Sequence, residues 1–225
     1  MMEFIYIYLI LLTYFSGWFI ISQVKKNNGL IDIAWGLSFV ITALSSLSIS
    51  GVFNLTKIIL LTLIALWGFR LSFYLFKRNW NKPEDFRYQA MRNKWKTNLK
   101  LKAFIKVFVG QSILSYIIAL PIILTNLYSN EANAPIQLVL LAIGVIIFLI
   151  GFIFEVIADK NLRDFKKDPD NKGKILTSGV WSLSRHPNYF GEATLWWGIG
   201  IISISSLMPT ALIGLISPIV ITVLL

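Results

Sequence analysis

The run IQLVLLAIGVIIFLIGFIFEVI, residues 136–157, contains 22 residues and one charged side chain, Glu155. A helix needs about 20 apolar residues to cross the hydrocarbon core of a bilayer. Because backbone polar groups in lipid must find their hydrogen-bond partners within the segment, a helix is favoured over an isolated strand. The run therefore predicts a transmembrane α-helix.

Similar apolar runs recur along the chain, at residues 4–22, 30–50, 55–76, 107–127, 190–207 and 211–225. The overall composition is 56% hydrophobic and 14% charged, far from that of a soluble globular protein. Cysteine is absent, which excludes disulfides and thiolate chemistry. We therefore predict an all-α polytopic membrane protein of six to seven transmembrane helices, organised as a single membrane domain over residues 1–225.

The Lys and Arg residues are concentrated in three loops. Of the 21 basic residues, 19 lie at residues 25–26, 77–106 and 160–185. If the spans alternate in direction, these loops share one side of the membrane, and the positive-inside rule makes that side cytoplasmic. The N-terminus and the 128–135 loop would then face outside. Topology and attraction to anionic headgroups account for the net charge of +10 without a nucleic-acid partner. We expect a bacterial cytoplasmic membrane rather than the endoplasmic reticulum.

Ionisable side chains occur within or at the ends of four predicted spans: Asp32, Arg70, Glu155 and Glu192. Such groups are costly in lipid and by default mark a functional interior. Each lies within about two helical turns of the cytoplasmic end of its span. The set predicts a polar chamber open to the cytoplasm. The alternative is structural, with an Arg70–Asp32 ion pair and side chains that snorkel to the interface.

Two polar segments adjoin this predicted chamber. In FEVIADKNLRDFKK, residues 154–167, Glu155, Asp159 and Arg163 recur every four residues and share a helix face, although Asp159 and Arg163 could simply pair at the surface. A second segment, SLSRHPNYFGEATLWWGIG, residues 182–200, opens the next span with polar groups.

Pro187 suits the first turn of a helix at that point. The helix start would form an anion site with the Arg185 guanidinium beside it. Helix capping with an aromatic belt of Trp181, Trp196 and Trp197 is the structural alternative.

A short helix is predicted within the 77–106 loop, starting at Pro83. Glu84 and Asp85 would lie in its first turn, where the helix dipole favours acidic residues. Three further side chains would face either the chamber or the headgroups: Arg87, Tyr88 and Arg92.

The block GVWSLSRHPNYFGE, residues 179–192, resembles the signature of the steroid 5-alpha-reductase C-terminal family, especially its DUF1295 branch. Three more segments resemble family segments in the same order: IDIAWGLSFV at 31–40, RNWNKPEDFRYQAMRNKW at 78–95 and FEVIADKNLRDFKKDP at 154–169. The resemblance implies a multi-helix membrane fold that holds NADPH in a cytoplasm-facing cavity. It implies an oxidoreductase acting on CH–CH groups, which transfers hydride to a double bond conjugated to a carbonyl in a lipid-like substrate.

Transferred to this sequence, the resemblance implies a set of cofactor-binding residues: Glu155, Asp159, Arg163, Arg185, His186, Asn188, Tyr189, Gly191 and Glu192. Gly191 would let a ring or another helix approach the backbone closely. Lys166, Lys172 and Lys174 are further candidates for the 2′-phosphate. No G-x-G-x-x-G element follows a strand, so a Rossmann site is not expected, and no metal site is predicted.

The catalytic residues implied by the resemblance are less directly matched. Steroid reductases place a Tyr and a Glu on the substrate carbonyl, where the corresponding region here reads LIALWGFRLSFYLF, residues 63–76. Stabilising a developing enolate needs an electrophile at the carbonyl oxygen. Arg70, Tyr74 and a protonated Asp32 are the predicted candidates. Relatives continue past the last span into a tail that helps to close the cofactor site, so truncation at Leu225 is expected.

Two other functions are consistent with the same residues. Isoprenylcysteine carboxyl methyltransferases share an R-H-P-x-Y block and bind S-adenosylmethionine with it. Glu192 after Gly191, and the upstream Glu155 and Asp159, resemble the reductases more. A non-catalytic membrane protein that binds lipid in the same cavity is the third possibility.

Overall fold

The computed structural model describes residues 2–95, 97–129 and 134–225. These residues form helices and no strand, which confirms the all-α class. They divide into two compact units, Met1–Ser129 (unit 1) and Asn130–Leu225 (unit 2). The organisation of the chain as one membrane domain stays a prediction.

Unit 1 begins with three long helices. A 3₁₀ turn, Asn28–Leu30, precedes the second helix, and a π-helical segment, Phe104–Val109, joins the fifth to the sixth. The helices are α1 Met2–Lys25, α2 Ile31–Ser50, α3 Leu55–Asn79, α4 Phe86–Lys94, α5 Leu99–Ala103, α6 Gly110–Ile118 and α7 Leu120–Tyr128.

Unit 2 is built on one long helix and two shorter ones. Its helices are α8 Pro135–Lys167, α9 Pro187–Ile204 and α10 Ile216–Leu224. Short 3₁₀ turns at Pro169–Asn171 and Gly179–Ser182 interrupt the polar loop between α8 and α9, and a third, Pro209–Leu215, leads into α10.

Among the described residues, five helical stretches are long and apolar enough to cross a membrane: Met2–Lys25, Asn28–Ser50, Leu55–Asn79, Leu99–Ile118 and Pro135–Lys167. The predicted spans at 190–207 and 211–225 correspond to α9, with 18 residues, and to the shorter apolar stretch Pro209–Leu224. Together these features confirm a polytopic integral membrane protein.

The fourth predicted span, 107–127, had the wrong bounds. The helical stretch starts at Leu99 and ends at Ile118, and α7 follows with Pro121 in its first turn. Because Pro121 has no N–H to donate, the chain restarts a helix there instead of continuing α6. Residues 130–133 of the predicted 128–135 loop lie outside the described residues.

Glycines set the closest helix contacts in both units. In unit 1, a Cβ added to Gly36 on α2 would lie 2.5 Å from the Gly68 carbonyl oxygen on α3. In unit 2, α8 and α9 run antiparallel, and a Cβ added to Gly151 would lie 2.4 Å from the Leu195 nitrogen. Small residues let membrane helices approach until their backbones touch, and packing then holds them together.

Candidate functional site

The loop helix α4 of unit 1 is capped by Asp85. The Asp85 carboxylate accepts a hydrogen bond from the Arg87 backbone N–H at 2.9 Å and another from Arg87 Nε at 2.9 Å. The predicted start at Pro83 was therefore wrong, because Asp85 ends the non-helical segment as the N-cap. The hydrogen bond from Arg87 holds the pKa of Asp85 below its usual value.

Asp32, at the start of α2, is held by two side chains of α4. The Tyr88 hydroxyl donates to Asp32 Oδ1 at 2.7 Å, and Arg87 Nη2 donates to Oδ2 at 3.3 Å. Tyr88 is only 7% exposed, and burial together with the nearby Asp32 charge raises its pKa. The pKa of Arg87 is raised mainly by its hydrogen bond to Asp85. Tyr88 therefore stays a neutral donor beside an acceptor.

A second set of contacts fixes the same loop to the segment between α1 and α2. Glu84 Oε1 accepts hydrogen bonds from the Asn28 backbone N–H and from Arg92 Nη2, both at 2.8 Å. The Asn27 side chain donates to the Lys82 carbonyl oxygen at 3.1 Å. Glu84 is nearly buried, so these are charge-assisted contacts away from solvent. The loop that carries α4 is thus held both at Asp32 and at the segment between α1 and α2.

The other predicted catalytic residues of unit 1 lie together on α3. The Arg70 guanidinium lies over the Tyr74 ring, 5.4 Å from its centroid, and Arg78 approaches the same ring at 5.6 Å. Both Arg70 and Tyr74 are half-buried. The pair forms a cation–π cluster one helical turn long.

A cavity of unit 2 has a volume of about 1270 Å³ and lies between the end of α8 and the loop that leads into α9. Six basic or imidazole side chains line it: Lys166, Lys167, Lys172, Lys174, Arg185 and His186. Apolar and aromatic groups form the rest of its wall, among them Phe165, Ile175, Trp181 and Leu183. Asp168 also lines the cavity. Because the cations outnumber this carboxylate and lie beside an apolar wall, the cavity suits an anionic ligand with a flat or apolar part.

Helix α9 starts at this cavity, as the proline predicts. Pro187 occupies the first helical position, and His186 is the N-cap without a side-chain capping bond. The positive end of the helix dipole adds to the field of Arg185 at this point. The His186 and Tyr189 rings stack, with centroids 5.1 Å apart and planes 19° from parallel.

The remaining cofactor candidates lie on the helices beside the cavity. Glu155 and Asp159 are one turn apart on α8, with exposures of 3% and 5%. Arg163 is exposed and its Nε lies 3.4 Å from Asp164 Oδ1. Asn188 and Glu192, on the first turns of α9, are half-buried.

Gly191 contacts the neighbouring helix. A Cβ at this position would lie 2.6 Å from the Glu155 nitrogen and 2.7 Å from the Gly151 carbonyl oxygen, both on α8. Of the two close approaches predicted for Gly191, the structure shows that of another helix. A contact between Gly191 and a cofactor stays a prediction.

The aromatic belt of the structural alternative does not include Trp196. Trp196 is fully buried, so its belt assignment was wrong, because it lies on a face of α9 covered by protein. Trp181 lines the cavity and its Nε1 donates to the Ala158 carbonyl oxygen at 3.0 Å. This bond ties the loop to α8 and shapes the cavity wall.

Sequence reasoning missed Lys167 and Trp181 as cavity residues, and did not link Tyr88 to Asp32. Lys167 and Trp181 stood in the segments already singled out, but nothing in the pattern distinguished them from a solvated lysine and a belt tryptophan. The Tyr88–Asp32 contact joins residues 56 positions apart. Only the docking of α4 brings them together.

A family comparison matches this chain over residues 18–225, to the family described as "Protein of unknown function (DUF1295)". The chain belongs to this family. No solved structure matches it.

Three curated relatives match shorter segments. The probable O-methyltransferase ustE of Ustilaginoidea virens is 48% identical over 56 residues, 25% of this chain and 19% of the relative. Steroid 5-alpha-reductase DET2 of Gossypium hirsutum is 40% identical over 60 residues, 27% of this chain and 23% of the relative. Delta(14)-sterol reductase of Arabidopsis thaliana is 34% identical over 65 residues, 24% of this chain and 18% of the relative. The chain thus matches less than a quarter of the length of each of these relatives.

Proposed function

We propose that this DUF1295 protein is an NADPH-dependent membrane reductase. Its substrate would be a lipid-like enone, such as a sterol, polyprenyl or fatty-acyl compound, reduced at the double bond conjugated to the carbonyl. The observation that carries the proposal is the cation-lined cavity of unit 2. The relatives named as a steroid 5-alpha-reductase and a sterol reductase support the same reaction class.

The cavity residues fit a phosphorylated dinucleotide. Arg185 presents a planar fork that suits phosphate oxygens, and His186 adds a donor beside it. The aromatic wall of the cavity, which includes Phe165 and Trp181, suits a purine ring. Three lysines are candidates for the 2′-phosphate, which needs one or two of them: Lys166, Lys172 and Lys174.

The groups beside the cavity would orient the rest of the cofactor, which when bound supplies the hydride. The candidates for its ribose hydroxyls and amide are Glu155, Asp159, Arg163, Asn188, Tyr189 and Glu192. Gly191 would act by holding α9 against α8, so that Asn188 and Glu192 keep a fixed position.

Reduction of an enone also needs a donor that stabilises negative charge on the carbonyl oxygen of the substrate. Arg70, Tyr74 and a protonated Asp32 remain the proposed set. The Tyr88 hydroxyl is nearly buried and donates its one proton to Asp32, and Arg87 contacts the other oxygen of the same carboxyl group. Tyr88 would therefore act as a positioning residue that holds Asp32.

The methyltransferase alternative has one observation in its favour, the 48% identity to the probable O-methyltransferase ustE. S-adenosylmethionine carries a sulfonium, an ammonium and a carboxylate group, so its net charge is positive, and it has no phosphate. A rim of lysines and arginine would repel these cationic groups, whereas it attracts the phosphates of NADPH. The cavity therefore favours the dinucleotide.

Thermal unfolding of the purified protein separates the candidate functions. A ligand that binds only the folded state at 100 times its Kd stabilises by about 2.7 kcal/mol. We expect NADPH to raise Tm and S-adenosylmethionine to leave it unchanged. A rise in Tm with S-adenosylmethionine and not with NADPH would support the methyltransferase. An unchanged Tm with both ligands would support a non-catalytic lipid-binding protein.

We also propose that the basic loops face the cytoplasm of a bacterial cell. The chain contains no cysteine, so Lys94→Cys and Lys172→Cys create single labelling sites. A membrane-impermeant maleimide should label both after lysis and neither in intact cells. Labelling of either site in intact cells would contradict this orientation.

A further inference from the structure

The polar loop between α8 and α9 exposes two large apolar side chains. Ile175 is 84% exposed and Leu183 is 76% exposed, more than the apolar residues on the outer face of α8, such as Ile146 at 56%. Both lie at the same cavity of unit 2, so they form a pair rather than scattered surface residues. In a loop that is otherwise polar, two exposed apolar side chains at one cavity indicate a surface that binds an apolar partner.

The end of the loop that leads into α9 lies close to the expected level of the membrane surface. The Gly191 backbone contacts that of Glu155, so the first turns of α9 lie at the level of the cytoplasmic end of the apolar run 136–157. Leu183 precedes the start of α9 by four residues. Each headgroup layer is about 5–8 Å thick, a distance that a few residues span. Leu183 is therefore within reach of the interface.

Basic side chains surround the apolar pair. Residues 166–186 carry five Lys or Arg and two Asp. Lys172 and Lys174 precede Ile175 in the chain by three residues and by one residue, and both lysine side chains are exposed. Cations next to apolar groups are the composition of segments that lie in an anionic membrane interface. Each such cation near the surface is worth about 1 kcal/mol.

We propose that the loop from 168 to 186 docks on the anionic headgroup layer of the bilayer. Leu183 and Ile175 enter the interface, and Lys172 and Lys174 bind lipid phosphates. The bilayer surface then covers part of the mouth of the cavity. Because docking assigns Lys172 and Lys174 to lipid phosphates, it leaves Lys166 as the candidate for the 2′-phosphate of the proposed cofactor.

The absence of cysteine allows a direct test in nanodiscs. Ile175→Cys and Leu183→Cys are labelled with an environment-sensitive fluorophore, and Ser178→Cys, exposed and polar in the same loop, is the matched control. A nitroxide on the upper part of the acyl chain, below the headgroups, should quench the first two labels about twofold or more compared with the control. The quenching should be stronger with phosphatidylglycerol than with phosphatidylcholine alone. Size-exclusion chromatography confirms that each labelled protein is folded.

Two outcomes would overturn the docking, and a third would overturn the role of the lysines in it. Equal quenching at positions 175, 178 and 183 would show that the apolar pair does not enter the interface. Labels that respond to NADPH and not to the nitroxide would show that Ile175 and Leu183 face a ligand inside the cavity. In the Lys172→Gln, Lys174→Gln double variant of the Leu183→Cys protein, an unchanged preference for phosphatidylglycerol would remove the electrostatic part.

Discussion

Replacing Gly191 with alanine should destabilise unit 2 through the α8–α9 contact. The new methyl group would lie 2.6 Å from the Glu155 nitrogen and 2.7 Å from the Gly151 carbonyl oxygen. Both obstacles are backbone atoms, so the helices must separate, and overpacking of this kind costs about 1–3 kcal/mol. The better helix propensity of alanine returns at most about 1 kcal/mol. With the full propensity gain subtracted, we expect a net loss of up to about 2 kcal/mol.

Two further glycines make this experiment specific. Gly198 lies outside the polar motif, and a Cβ added to it would lie 2.6 Å from the Phe148 nitrogen. Gly198→Ala should therefore lower the stability by the same amount as Gly191→Ala. Gly17 on α1 has nothing within 4 Å of its added Cβ, so Gly17→Ala should leave stability unchanged or slightly higher. Unfolding in a denaturing detergent, followed by circular dichroism, measures all three variants. If Gly191→Ala unfolds like the wild type while Gly198→Ala is destabilised, Gly191 is not a packing residue.

Two more predictions concern α4. Tyr88→Phe removes the 2.7 Å bond to Asp32 and should cost about 1.5 kcal/mol, the low end for a bond to a charged group, because Arg87 still contacts the carboxylate; an unchanged unfolding midpoint would contradict the contact. Because the pKa of Asp85 is lowered in the folded state, its contribution to stability is present above about pH 4, its unfolded value, and is lost as the pH falls further. Asp85→Asn should therefore abolish this part of the acid dependence of Tm, and an identical profile in variant and wild type would refute it.

The membrane architecture was predictable because long apolar runs in lipid allow few structures other than helices. The helix start at Pro187 was predictable for a similar reason, since proline fits the first turn and little else in a helix. The fourth span was placed eight residues too late. The start of that stretch, from Leu99 to Lys106, carries three lysines, and these hid a helix that begins in the polar loop.

The candidate site was predictable where its residues lie close together in the chain. Arg185 and His186 do line one cavity with the predicted lysines. Contacts made by docking were not predictable, as the bond from Tyr88 to Asp32 shows. The burial of Trp196 was also missed, because α9 is apolar on most sides and its pattern does not indicate which side faces protein.

The most direct test of the proposed reductase is an NADPH titration of the wild type and of Arg185→Ala. Lys160→Ala, an exposed cation on α8 outside the cavity lining, is the matched control. Loss of one charge-assisted phosphate contact should weaken binding by about 1.5–3 kcal/mol, roughly ten- to a hundred-fold in Kd, while the control binds like the wild type. Equal affinities for the wild type and Arg185→Ala would contradict the assignment of this cavity to the cofactor.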